Sequence, residues 1–310
     1  MSVPTPSAGR REESFSLPLF LFTVGVSAAL LLGLFWIVAP SDVWAAECAS
    51  SLGSFAVAFC AVHLVTCLFE FLLHRYVLHK PVFSFLSRFY RQHTLHHALT
   101  RIGKRRLSRG ESLVVVENVY PVTLPEQGEA SFFPWYTLAV FAAVLTPLLT
   151  LLHLVLPAFP WFFGGLAAVT FALCLYEVYH MIEHWPLETW MPLLEHPRVG
   201  GFWRVVYGFH LRHHAVIDCN EAISGFFLLP VFDWVFGTWV NPKTLYADGS
   251  EWDPAKFTSP RPRALIRWFD AWADAVVKKR RTRAVSEGAG VVSETAAHED
   301  SWNGALNQSN

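Results

Sequence analysis

The fold class that this sequence predicts is an all-α integral membrane protein, with four transmembrane helices and a cytosolic helical cap. Three observations predict it. Hydrophobic residues make up 53% of the chain and charged residues 16%, against roughly 25% charged in an ordinary soluble domain. Four apolar runs each come near the ~20 residues that a helix needs to cross the hydrocarbon layer. Ten of the 14 histidines fall in four short boxes, at or beyond the ends of two of those runs.

The spans justify themselves in order. Residues 17–39 carry no charge, and 52–73 are broken only by His63 and Glu70. Residues 132–156 contain one histidine, His153, and 161–181 stay apolar until Glu177 and His180. Buried helices of a large soluble protein would rarely be this long and this regularly spaced. The first run is too long for a secretory signal, and no small-residue cleavage site follows it.

Lysine and arginine set the expected orientation. Two precede the first run, nine lie between Arg75 and Arg109, and thirteen follow His184, whereas the connections at 40–51 and 157–160 carry none. Two hairpins through the membrane put all 24 on one side, which the positive-inside rule makes cytoplasmic. The expected organisation is an N-terminal cytoplasmic segment (1–16), a membrane domain (17–285) whose cap comes from 74–131 and 182–285, and a polar, disordered tail (286–310). Both termini are then cytoplasmic, in a bacterial inner membrane or the endoplasmic reticulum. Within the cap, Lys80 to Gln92, Gly201 to Phe209 and Arg263 to Lys279 mix aromatics with basic residues. Ile266, Phe269 and Trp272 stand at helical spacing. Such helices pack on the membrane surface or on one another.

Other classes are disfavoured. A net charge of −1, with no basic helix interleaved with aromatics, offers nothing to nucleic acid. The five cysteines form no Cys-x-x-Cys and lie mostly in apolar runs, so they read as small core residues.

The boxes are "HRYVLH" (His74, His79), "HTLHH" (His93, His96, His97), "HMIEH" (His180, His184) and "HLRHH" (His210, His213, His214). Residues three and four apart share a helix face, so His-x-x-His-His points its imidazoles one way. His74 and His79 are five apart, roughly 140° around an ideal helix. Either they serve different metals, or the helix bends or ends between them. "CLFEFLLH" and "CLYEVYH" begin alike 107 residues apart, and each leads into a second histidine and then a His-x-x-His-His. The chain thus reads as two copies of span, exit box and cap box facing one site.

Neutral imidazole binds Fe, Zn, Cu or Ni, and one ion seldom uses more than three or four. Ten grouped histidines are therefore too many for one metal and about right for two. This predicts a histidine-rich dinuclear site in the cap. Uncancelled positive charge favours nearby carboxylates: Glu70, Glu177, Glu183 and Asp218 are expected to orient histidines through their N–H groups, and Glu221 also follows the last box. A buried, protonated glutamate is the plainer reading of Glu70 and Glu177. Interfacial histidines hydrogen-bonded in a polar cap would be the plainer reading of the boxes. It suits the isolated His63, His153, His196 and His298 better than ten residues in four periodic groups.

From the second span to "PVFDWVFGTWV" (Pro230 to Val240), these residues resemble the fatty acid hydroxylase/sterol desaturase superfamily of membrane di-metal enzymes. The resemblance implies two Fe ions (Zn is possible in purified protein) held by all ten boxed histidines. It also implies O2 as cosubstrate, and electrons from NAD(P)H through a separate cytochrome b5- or ferredoxin-type protein. The implied reaction is hydroxylation of a C–H bond in a fatty acyl or related lipid. "HMIEH" and the long interval between His79 and His93 look like the fatty acid and sphingolipid hydroxylases. "RVVYGFHLRHHAV" is also similar to bacterial carotenoid ring hydroxylases. The absence of Asp beside the histidines of "HRYVLH" and "HMIEH" makes a sterol substrate less expected.

Phe89, Trp203, Tyr207 and Trp234 are candidate walls for the lipid chain, or simple interfacial anchors. The connection 110–133 is a candidate lid. Two other classes remain. A zinc-dependent, non-redox membrane enzyme needs only three protein ligands per ion, and a metal transporter would place its site near the bilayer midplane.

Overall fold

The computed structural model describes residues 16–98, 100–106, 112–118, 133–240, 246–247 and 259–286. The expected N-terminal segment and C-terminal tail, apart from Ser16 and Ser286, lie outside the described residues, as does most of the connection 110–133. In chain order the helices are α1 (Leu17–Val38), α2 (Ser41–Ala49), α3 (Leu52–Leu73), α4 (Ser87–Ala98), α5 (Thr137–Val155), α6 (Trp161–Glu183), α7 (Leu187–Leu194), α8 (Gly200–Ala215), α9 (Val231–Phe236) and α10 (Ala264–Ser286). Four of them, α1, α3 with its continuation to Leu78, α5 and α6, are long and apolar enough to cross a membrane.

Helix α6 is the centre of the bundle and packs on α3, α5 and α1. Two adjacent glycines permit this. A Cβ on Gly164 would stand 2.7 Å from the Cβ of Ala58 on α3, and one on Gly165 would stand 2.8 Å from the Leu149 side chain on α5. Small residues at such crossings let backbones approach where water supplies no driving force. Below the site, Ala58, Val62, Leu149, Trp161 and Ala168 form a tight core. Outward-facing residues such as Leu30 and Leu154 are largely exposed, as lipid-facing side chains are. The connection after α1 is itself helical. Its Glu47 accepts the Phe162 and Phe163 N–H groups (3.3 and 2.8 Å) and so caps the start of α6.

The all-α expectation needs one amendment. The chain is mostly helical, but β1 (Thr100–Arg106) pairs antiparallel with β2 (Ser112–Asn118), and β2 with β3 (Tyr246–Ala247). β1 reads Thr-Arg-Ile-Gly-Lys-Arg-Arg, with no alternation of apolar residues, so period-two patterning did not mark it. α10 does carry an inward stripe, but it runs Ile266, Phe269, Ala273 and Val276. Trp272 is 43% exposed and lies at its edge.

Candidate metal centre

The site is assembled from both halves of the chain. At the end of α3 the helix widens into a π-turn, His74–Leu78, closed by the His79 N–H donating to the His74 carbonyl at 3.0 Å. A five-residue hydrogen-bonded repeat makes residues i and i+5 neighbours. The two histidines that an ideal helix would turn apart therefore share a face, with Nε2 atoms 3.2 Å apart. No such device is needed at the end of α6, where His180 and His184 are four apart and their Nε2 atoms also lie 3.2 Å apart.

Each His-x-x-His-His box divides its residues. On α4, His93 and His97 turn one way and His96 the other. On α8, His210 and His214 turn one way and His213 the other. The result is two groups of five: His74, His79, His93, His97 and His213; and His96, His180, His184, His210 and His214. Each half thus supplies four members of its own group and lends one to the other. The groups adjoin, with the rings of His97 and His214 stacked at 4.2 Å.

The nitrogens converge on points. In the first group, the Nε2 atoms of His74, His79 and His93 form a triangle with sides 3.0, 3.1 and 3.2 Å, and His213 Nε2 lies 3.0 Å from His79. In the second, His210 Nε2 lies 2.8 Å from His184 and 2.9 Å from His214. Hydrogen bonds do not account for such a set. The His74 and His213 Nδ1–H groups donate to the Glu221 and Cys219 carbonyls, which leaves bare lone pairs on both Nε2 atoms. The Thr100 hydroxyl donates to the His97 carbonyl, so its oxygen accepts from His214 Nδ1–H, with the same consequence for His214. Burial disfavours protonation as well: it pushes His96 and His213 down to about 4, and holds His79, His93, His97, His184, His210 and His214 well below the usual imidazole range. Clustered lone pairs repel one another unless a cation sits among them.

A metal ion fits this donor set. With metal–nitrogen bonds of about 2.1 Å, ligands at right angles lie about 3 Å apart and tetrahedral ones about 3.4 Å. The spacings of 2.8 to 3.2 Å are of the size expected between nitrogens that share one ion. All ten boxed histidines are placed where they could hold two ions. No family model, curated protein or solved structure matches this chain. The functional reading therefore rests on the site itself.

The carboxylates are less uniform than expected. Glu183, between His180 and His184, sits 3.6 Å from His210 Nδ1 and is otherwise without a hydrogen-bond partner among the described residues. The Glu70 carboxylate has no histidine partner among the described residues: it accepts the Ile223 and Ser224 N–H groups and the Ser224 hydroxyl at 2.6–2.8 Å, and so ties a loop to α3. Glu177 accepts the Phe133 N–H at 2.9 Å instead. Asp218 is 42% exposed and bonds to Ser259, beside Arg75. Their partners are backbone N–H groups, hydroxyls or a guanidinium rather than imidazoles.

Several residues that support the site carry no motif. Arg75, 3% exposed inside the π-turn, grips Asp270 of α10 through two bonds of 2.8 and 2.9 Å and Glu221 at 2.7 Å. Glu221 in turn presents its carbonyl to His74. Asp233 accepts the Glu221 and Ala222 N–H groups, both at 2.9 Å, and fixes that loop. A charged pair 146 residues apart gives no local signal, although an arginine between two box histidines is one that could have been weighed.

The expected substrate walls also differ. Tyr207 is buried against Trp190 (5.3 Å), Trp203 packs on Phe202 (5.0 Å), Trp234 is 44% exposed, and Phe89 is half-buried on α4. None of the four lines the apolar cavity between α3, α5 and α6. It runs from His74 and Leu78 past Leu73, Phe133 and Ala172 to Leu145 and Val169. Of the isolated histidines, His196 Nδ1 accepts the Arg198 and Val199 N–H groups, while His63 lies buried among phenylalanines of α3, α6 and a loop. Neither joins the two groups, and His298 lies outside the described residues.

Proposed function

We propose that this chain is a membrane-bound non-haem di-iron oxygenase that hydroxylates a C–H bond of a fatty acyl or related lipid chain. The fatty acid hydroxylase/sterol desaturase type is the family reading that goes with it. The observation that carries the proposal is the meeting of two five-imidazole groups with an apolar slot, whose upper wall is His74 itself. The overall balance is R–H plus O2, two electrons and two protons giving R–OH and water. The electrons come from a separate carrier protein.

The four long helices span the bilayer with the histidine groups at its cytoplasmic face, as the one-sided distribution of Lys and Arg favours. Iron bound in such a pair supplies reductive activation of O2 and attack on an unactivated C–H bond. The chain's own residues do the rest. His74, His79, His93, His97 and His213 would hold one ion, and His96, His180, His184, His210 and His214 the other. The Glu221 and Cys219 carbonyls keep His74 and His213 in the tautomer that leaves Nε2 free. Phe133, Leu145, Val169 and Leu173 exclude water from the slot and align a chain against His74. Five imidazoles per group are more than the three protein ligands that a catalytic zinc usually takes, which favours iron.

Anaerobic purification, metal quantification and turnover under 18O2 with a reducing partner test this. Two Fe per chain and one labelled oxygen in the lipid product are expected. Unlabelled alkene would replace hydroxylation by desaturation, and full activity with two Zn would overturn the redox reading.

A further inference from the structure

The segment after the last histidine box does not stay in the cap. Its partners descend along α3: the Glu221 carbonyl meets His74, the Ser224 N–H and hydroxyl meet Glu70, and the Phe227 N–H meets His63 Nε2 at 3.4 Å. From His74 to His63 is 11 residues of helix, about 16 Å, and His63 is midway along α3. The Phe227 ring also meets Phe59, deeper still on α3, and Phe171 of α6. Helix α9 then climbs back, with Phe236 against Phe71.

The tip has the form of a tight hairpin turn. Phe226 and Leu229 exchange backbone hydrogen bonds of 2.9 and 3.0 Å, and Phe227 and Leu228 between them have φ of 51° and 67°. Two-residue turns with both central φ values positive strongly prefer Asn-Gly, because bulky side chains are strained there. Here both positions are large and apolar, and Phe227, Leu228 and Leu229 are each 45–49% exposed. Water would reward neither choice. The N–H groups of the tip are instead satisfied within the protein: Leu228 N–H to the Ser224 carbonyl (2.9 Å), Val231 N–H to Leu229 (2.8 Å), and the Phe227 N–H to His63. Pairing the donors internally is part of what non-helical backbone at membrane depth requires.

We propose that residues Glu221 to Phe236 form a re-entrant hairpin whose tip, Phe227 to Leu229, is inserted into the hydrocarbon of the bilayer, seated over the α3–α6 seam. The partner of this exposed apolar tip is the acyl region of membrane lipid. The inference rests on the proposed membrane orientation and is independent of the reaction. His63 has a role in it: buried at mid-span, it terminates the hairpin's otherwise unpaired Phe227 N–H.

The test uses full-length protein in phospholipid nanodiscs, with a nitroxide at Leu228→Cys in a background lacking the five native cysteines. Labels at Leu30 on α1 and at the exposed Glu195 serve as lipid and water references. The expected result is a site accessible to O2 and shielded from a water-soluble nickel relaxant, like Leu30. Nickel accessibility at 228 with Leu30 shielded overturns the hairpin, whereas nickel accessibility at both overturns the membrane orientation. Where that background does not fold, benzoylphenylalanine in place of Phe227 in the otherwise native chain decides. Phospholipid adducts on irradiation support the insertion, and their absence overturns it.

Discussion

The two halves of the chain build the same object by different means. In the first, α3 ends in histidines five apart, and a π-turn is needed to align them. In the second, α6 ends in histidines four apart and stays an ordinary helix. Between the first pair stands Arg75, neutralised by Glu221 and Asp270. Between the second pair stands Glu183, with no Lys or Arg partner among the described residues and the neutral His210 at 3.6 Å. The donor sets are matched at five imidazoles each, but their surroundings are not. The first group has backbone carbonyls on His74 and His213, with Glu221 3.8 Å from His74, whereas the second has Thr100 on His214 and Glu183 3.6 Å from His210. Glu221 is neutralised by Arg75 and Glu183 by no cation among the described residues, so two metal ions held by these groups should be inequivalent.

The largest expected effect is that of acid on the metal-free protein, and it should strike both halves alike. His96 and His213, the two lent residues, are held near 4 in the fold against an ordinary 6.5. The unfolded chain therefore binds more protons in that interval, and stability is full above about pH 6.5 and lost as pH falls toward 4. Thermal melts of demetallated protein across that window should show the loss. His96→Ala and His213→Ala should each lessen it by a similar part, the other buried histidines keeping the rest, and a loss lessened by only one of them would break the symmetry.

Next in size is the charge between the exit histidines. Arg75→Ala leaves Glu221 buried without its partner, which typically costs about 3–5 kcal/mol. Denaturation in detergent should show this, with Glu183→Ala costing clearly less because it strands no opposite charge. Equal costs would mean that the halves are not electrostatically different.

The slot touches the first group through His74 and no member of the second. Ala172→Phe should crowd it, at about 1–3 kcal/mol, lowering lipid affinity and turnover while metal content stays at two per chain. Loss of metal would show that the slot wall is part of the metal site. Glu183→Gln should have the smallest effect, weakening one ion by roughly 10–100-fold and shifting one of two Mössbauer signals. A shift of both, or of neither, would erase the proposed inequivalence.

Much of the architecture was legible because it is written in periodicity and length. Spans expected at 17–39, 52–73 and 161–181 are observed at Leu17–Val38, Leu52–Leu73 and Trp161–Glu183. The third helix is shorter, Thr137–Val155, because Phe133 and Pro134 precede its first turn. The mismatch between His74 and His79 was visible as roughly 140° of rotation, but choosing a π-turn over two separate metals required the fold. The swap of His96 and His213 follows from how α4 and α8 face each other across the site, which no single-helix pattern contains. Glu70 was misread because its partners lie 153 and 154 residues away, in a loop without periodicity. The hairpin at 221–236 was hidden for the same reason: its depth is set by contacts to α3, not by an apolar run long enough to announce a membrane segment.

The central claim is the partition of ten histidines into two exchanged groups of five. Metal content of paired alanine variants tests it most directly. His96→Ala with His180→Ala should lose one ion and keep the other, as should His213→Ala with His74→Ala, whereas His96→Ala with His74→Ala should lose both. If His96→Ala with His93→Ala, neighbours in one box, left one ion intact, the exchange would be contradicted.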